Sequence, residues 1–329
     1  MEGTYLRNLK TAVGSFIDSI ADNAEEYHVD HRIAIVGFAG DEYYGQYGQY
    51  GQFYYANSEL FIGDTQYNYH SGGKESTYNS NDNLASNHYG EAFQSVTTET
   101  GRANLDASVD DLAAKGGTHP ELGFDMTNGI FQANDNAYTD AEGKPAKRRR
   151  IVVMFTDGEP GDTDFSSSVA EDTIEEAYTS KNTYGATVYT VGLYSNATAQ
   201  DNNVNKFMNR VSSNYPTAQT FNDQGQYTYT PVYNLDQSKT YYVFKNGRYT
   251  KVSDFDWFGW RDDNWQGYTP KTSANDSGSQ FYERVNQNAP TQADTKYYMT
   301  TSNSSELGNI FTNISEDVTS GSSTTTVKL

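Results

Sequence analysis

Two short segments carry side chains able to hold a hard cation. One is Thr156-Asp157-Gly158-Glu159-Pro160, placed directly after the apolar run Ile151-Val152-Val153-Met154-Phe155. The other is Gly116-Gly117-Thr118-His119-Pro120-Glu121-Leu122, which starts on two glycines and leads into a helical pattern. A carboxylate and a hydroxyl on neighbouring loops are oxygen ligands of the kind that Mg²⁺ or Mn²⁺ takes in octahedral array, with water completing the shell. Both segments therefore supply candidate oxygen ligands, Thr118 and Asp157 among them. Glu159 and His119 stand beside them as candidate ligand contacts. The plainer alternatives are that Thr-Asp-Gly is ordinary turn chemistry, since Asp and Gly favour turns after any strand, and that Glu159 is a solvated loop carboxylate. No second His stands at zinc spacing from His119.

The rest of the chain offers little for catalysis. It has no Cys, no Gly-x-Ser-x-Gly elbow, no phosphate-cradling glycine loop and no His-Glu-x-x-His, so the common nucleophile and zinc-hydrolase arrangements are missing and the expectation is a protein that is not an enzyme. The carboxylate pairs Asp254/Asp256 and Asp262/Asp263 lie in Trp-rich sequence without the marks of a shaped pocket. Trp257, Trp260 and Trp265 could form an aromatic platform for a glycan or peptide; equally, a small β-rich region needs aromatics to build a core. Lys147-Arg148-Arg149-Arg150 is a basic island read as the solvated start of a strand.

These residues need elements to position them. Leu9, Val13, Phe16, Ile17 and Ile20 recur at helical spacing and predict a helix over about 5–22. His31–Gly40, Ile151–Phe155 and Ala186–Tyr194 read as strands buried on both faces, as in a parallel sheet. Amphipathic patterns at 105–112, 122–130, 169–177, 204–211 and 307–314 lie between and after them. Strands alternating with helices predict an α/β fold with a doubly wound, mostly parallel sheet flanked by helices. Two stretches interrupt the rhythm. The Tyr/Gly/Asn-rich segment 41–100, with its Tyr-Gly-Gln repeat, reads as a long surface loop. Residues 219–295 read as an inserted β-rich subdomain, because Asn246-Gly247 between Tyr/Val-rich segments is a strong hairpin signal. The resulting division is 1–218 with 296–319 as the main domain, 219–295 as the insertion, and 320–329 as the start of a following segment.

Composition narrows the partners. The 329 residues carry 43 acidic and 23 basic side chains, a formal charge of −20. Such a field repels nucleic acid and anionic lipid and favours divalent cations or a neutral or basic partner. Aromatics reach 14 % while hydrophobic residues total only 35 %, the balance of a folded frame carrying polar loops. No apolar run approaches the roughly 18 residues of a membrane helix, so no membrane insertion is expected within this chain.

The order helix, Arg32-Ile-Ala-Ile-Val-Gly-Phe38, Gly116-Gly-Thr118, Val152-Val-Met-Phe-Thr-Asp-Gly158 and Val188-Tyr-Thr-Val-Gly192 resembles von Willebrand factor type A domains, in versions similar to those of Gram-positive surface and pilus adhesins. The resemblance covers roughly 1–215 and 297–318. It implies a metal-ion-dependent adhesion site in which Thr118 is the second-loop ligand and Asp157 the third-loop ligand of Mg²⁺ or Mn²⁺. It also implies an extracellular module on a bacterial surface that binds a protein or matrix ligand, with a glycan as a further possibility. The family's first strand, ending in Asp-x-Ser-x-Ser, would precede the opening helix, where this chain reads Met1-Glu2-Gly3-Thr4. The expectation is a sheet lacking its first strand and a metal site incomplete in this chain. The competing reading is a structural stalk or fibre domain without a functional metal site.

Overall fold

The computed structural model describes residues 3–44, 53–55, 57–70, 83–135, 148–194, 203–221, 240–245, 248–251, 268–271, 279–284 and 297–320. The chain opens with helix α1 (Thr4–Tyr27), followed by the short strands β1 (Arg32–Ile33), β2 (Ile35–Gly37), β3 (Glu42–Tyr44), β4 (Phe53–Tyr55), β5 (Glu59–Ile62), β6 (Thr65–Asn68) and β7 (Gln94–Ser95). Helices α2 (Glu99–Asp111) and α3 (Pro120–Ala133) precede β8 (Ile151–Thr156), α4 (Ser167–Asn182), β9 (Thr187–Leu193) and α5 (Asn203–Val211). Strands β10 (Thr240–Lys245), β11 (Arg248–Lys251), β12 (Tyr268–Lys271), β13 (Ser279–Arg284) and β14 (Tyr298–Thr301) lead to α6 (Leu307–Ser320).

The chain divides into two compact units. The first comprises Met1–Ile151, Gly158–Val169 and Asn303–Leu329; the second comprises Val152–Asp157 and Ala170–Ser302. In the first, Leu9, Ile17, Ile20 and Ala24 of α1 and Leu307, Ile310, Phe311 and Ile314 of α6 are buried, with Phe16 and Phe311 meeting edge to face at 5.9 Å between centroids. Helix α1 stops where His28 turns left-handed, at φ 53° and ψ 45°, its N–H donating to the Ala24 carbonyl. Helix α2 starts where the Thr98 hydroxyl accepts from the Gly101 N–H, and α3 starts on Pro120, whose fixed φ suits the first turn.

The segment 32–38 departs from the expected buried parallel strand. It is two short strands, β1 antiparallel to β7 and β2 antiparallel to β5, and Ile35, Val36 and Gly37 are only half-buried. Residues 41–100, expected as a surface loop, contain β3 to β7, and Leu60 is fully buried in a core cluster with Ala85, Ala92, Met126 and Ile130. The apolar run Leu60-Phe61-Ile62 turns at Gly63, with φ 62°, and pairs back onto β6. That hairpin is a strong local signal hidden by the Tyr- and Asn-rich sequence around it.

In the second unit β14 and β9 pair in parallel, Tyr298 opposite Thr190 and Thr301 opposite Leu193, in a sheet of order β14-β9-β8. These strands and the helices make the fold α/β, but the described strands fall into five small sheets rather than one continuous parallel sheet. Val188 to Leu193 of β9 are buried as expected for an inner strand, whereas Ile151, Val152, Val153 and Phe155 of β8, last in its sheet order, are half-buried. Strands β10 and β11 pair antiparallel with Lys245 opposite Arg248, and a parallel β10–β13 contact joins them to β12 in the order β11-β10-β13-β12. Tyr298 donates from its hydroxyl to Asn205 Oδ1 at 2.6 Å, both residues being buried. Lys181, 7 % exposed, sends its ammonium to the carbonyls of Arg210 (2.8 Å), Val211 (3.1 Å), Ser212 (3.3 Å) and Tyr215 (3.1 Å). It thereby satisfies carbonyls at the end of α5 and in the turn beyond it.

The basic island is exposed at Arg148 and Arg149, as expected for a solvated strand start, and half-buried at Arg150, and its side chains also bond within the first unit. Arg149 donates to the Val318 carbonyl at 2.8 Å. Arg148 donates to the Asn134 carbonyl, and Arg150 pairs with Asp135 while lying over the Phe131 ring. Lys147 lies outside the described residues.

Candidate functional site

Three segments of the first unit converge around Thr118. The chain leaving β2 passes through Ala39, Gly40 and Asp41; the turn before α3 holds Gly116 to His119; and the segment 158–162 comes third. Thr118 and Gly161 exchange both backbone hydrogen bonds at 2.8 Å, forming an antiparallel bridge. The Gly40 N–H donates to the Gly117 carbonyl at 2.8 Å, and Asn57 Nδ2 donates to the Gly40 carbonyl at 2.9 Å.

Glycine permits this approach at two places. A Cβ on Gly117 would stand 2.4 Å from Asp162 Oδ1 and 2.9 Å from the Asp162 Cα. A Cβ on Gly158 would stand 2.3 Å from the Thr118 hydroxyl oxygen. The Thr118 hydroxyl thus lies against the backbone of Gly158, the residue that follows Asp157 in the sequence. Thr118 and Asp157 are both half-buried, and Glu159 is exposed.

His119 is held at both ring nitrogens. Nδ1 lies 2.7 Å from Glu121 Oε1 and Nε2 lies 3.1 Å from Asp162 Oδ1. These carboxylates push its pKa up to about 9, the Glu121 hydrogen bond leading and outweighing the opposing effect of burial. Asp41, next after Gly40, meets His70 Nε2 through its Oδ2 at 3.1 Å. Among the described residues, Asp41 Oδ1 and Glu121 Oε2 of this region are buried and meet no hydrogen-bond partner.

A hydroxyl and a carboxylate are the hard oxygen donors that Mg²⁺ or Mn²⁺ takes, so Thr118 and Asp157 fit the ion in chemical type. They fall short in number: among the described residues no group of three or more His, Asp or Glu is placed to hold a metal. Trp257, Trp260 and Trp265 lie outside the described residues. Sequence reasoning passed over Asp162, Glu121, Asp41 and His70. Asp41 was within reach of it, because it follows the strand run 32–38 just as Asp157 follows β8. Asp162 carries no such mark, since its partner is 43 positions away.

A family model for the von Willebrand factor type A domain matches residues 76–229. The matched region holds Thr118, Asp157, His119 and Asp162, from ahead of α2 to beyond α5, and amounts to just under half of the 329 residues. It does not include α1 or β2, which the sequence resemblance had taken in. No curated protein and no solved structure matches the chain.

Proposed function

We propose that this chain is a protein-interaction module acting outside the cell, on a bacterial surface, and that it binds through the loops carrying Thr118 and Asp157. The observation that carries the reading is the Thr118 hydroxyl packed on Gly158, directly after Asp157, inside a region matching the von Willebrand factor type A model. Thr118 and Asp157 would hold Mg²⁺ or Mn²⁺, which when bound supplies positive charge toward an acidic group of a protein or matrix ligand. The chain's own residues present the oxygens and fix the loops. Water and the partner's acid would fill the rest of the shell, as is usual for Mg²⁺ sites with few protein ligands. Glu159, exposed beside them, would meet the ligand rather than the ion.

The test is titration with Mn²⁺ followed by electron paramagnetic resonance. Binding with a Kd on the order of millimolar is expected for the wild type, with loss in Asp157→Ala and Thr118→Ala while circular dichroism stays unchanged. A wild type that takes up no Mn²⁺ refutes the cation. The shortage of ligands among the described residues supports a second reading, a structural stalk or fibre domain. In that case Thr118 and Asp157 are dispensable and chelator leaves assembly and stability unchanged. Catalysis is not proposed; turnover in a broad glycan and peptide substrate panel would overturn that.

A further inference from the structure

We propose that His119 is a positioning residue whose ring, bonded to Glu121 and Asp162, clamps the Thr118 turn onto the 158–162 segment and fixes where the Thr118 hydroxyl stands. The inference deepens the proposed binding role and rests on it only for its functional meaning. Its structural basis is separate. His119 reaches forward to Glu121, in the first turn of α3, and across to Asp162. Both partners are carboxylates, so at least one ring nitrogen donates to a charged oxygen whichever tautomer is present, the stronger class of hydrogen bond.

The neighbours of the ring give the clamp its rigidity. A Cβ on Gly40 would stand 2.7 Å from His119 Cδ2 and 2.9 Å from Asp162 Oδ1, so the ring and the carboxylate both sit directly on that backbone. Asp162 Oδ1 is thus the point where the three loop segments meet: Gly40, Gly117 and His119 all press on it. The Thr118–Gly161 backbone bridge lies one residue from the clamp on each strand of the contact. Without His119 the contact rests on the two backbone bonds of that bridge and the packing beside it, in partly exposed loops, where local opening is easy. The His119 side chain is 20 % exposed and Asp162 73 % exposed, so the clamp faces solvent on its Asp162 side and that carboxylate can be changed without disturbing the core.

The experiment is amide hydrogen exchange on the full chain in chelator, comparing wild type, Asp162→Asn, His119→Gln and the double variant. Each single change is expected to speed exchange at Thr118 and Gly161 by about tenfold, the factor that loss of a charged hydrogen bond gives. Amides of α2 should hold their rates, and the double variant should exchange no faster than His119→Gln, because Asp162→Asn breaks only a contact that His119→Gln already removes. Unchanged rates at Thr118 and Gly161, or factors that multiply in the double variant, overturn the clamp. Asp162→Asn keeps the test open if His119→Gln fails to fold. A parallel Mn²⁺ titration separates this inference from the cation. Faster exchange with no Mn²⁺ uptake by the wild type leaves the clamp standing and removes the cation. Mn²⁺ binding that is lost in Asp157→Ala but intact in His119→Gln removes the clamp instead.

Discussion

Replacing Lys181 with Met keeps most of the side-chain volume and takes away the ammonium that four carbonyls share. Packing is then nearly conserved, and the loss is electrostatic. Three N–H groups on a charged nitrogen, each worth about 1.5 kcal/mol net, set a ceiling of about 4.5 kcal/mol. Against this stands the relief of no longer burying a charge, which commonly returns a kcal/mol or more. The net loss should be about 3 kcal/mol, a large share of the roughly 5–15 kcal/mol that holds a domain together. Urea denaturation at pH 6 would read it as a lower midpoint with unchanged slope, displaced by about 1 M for a slope near 3 kcal/mol/M. The pH dependence adds a second check. Burial lowers the Lys181 pKa to about 7, below the roughly 10.4 of an unfolded lysine. Between those values the unfolded chain holds the extra proton, so wild-type stability rises with pH and the gap to the Met variant widens from pH 6 to pH 9. A midpoint shift below about 0.3 M would mean that the carbonyls find water or other donors, and the reasoning fails.

Other perturbations follow from geometry already described. His119 has its pKa raised to about 9, so its contribution to stability is complete below the unfolded value of about 6.5 and lost as pH rises through 9. Thermal unfolding of the wild type should weaken over that window, and His119→Gln should not show the decline. Gly117→Ala drives a Cβ to 2.4 Å from Asp162 Oδ1 and should cost about 1–3 kcal/mol, read as a Tm lowered by about 2–4 °C per kcal/mol. Tyr298→Phe leaves buried Asn205 Oδ1 without the hydroxyl at 2.6 Å, and a loss of about 1–2 kcal/mol in urea is expected. Arg149→Met removes a donor from the Val318 carbonyl near the end of α6 and should cost about 1 kcal/mol, with faster amide exchange confined to the last turn of that helix.

Elements whose signal is local were legible in the sequence. The helical spacing of Leu9, Ile17 and Ile20 placed α1, although the helix runs on to Tyr27 because nothing before His28 halts it. The β-branched run of β9 announced a buried strand. Pairing partners were harder to read: nothing in Ile35-Val36-Gly37 says that its neighbour is the hairpin strand at Glu59–Ile62, because strand pairing is decided by tertiary contact. The site divides in the same way. Thr118 and Asp157 stood out through their glycine-flanked loops, whereas Asp162 and Glu121 gain their meaning only from His119 in three dimensions. Lys181 was opaque for a similar reason. In Thr179-Ser180-Lys181-Asn182 it looks like the solvated end of a helix, yet four carbonyls from 29 to 34 positions downstream enclose it.

The packing of α1 on α6 has a mechanical consequence. These are the helices nearest the two ends of the chain, and both belong to the first unit. Between them the polypeptide passes from one unit to the other at 151–152, 157–158, 169–170 and 302–303. Tension applied at the ends therefore loads the α1–α6 contact first. The stretches of chain between the two helices take up load only after that contact parts. A rupture at the interface of two helices, followed by release of a long hidden length, is a shock absorber's response, and the two helices set its threshold.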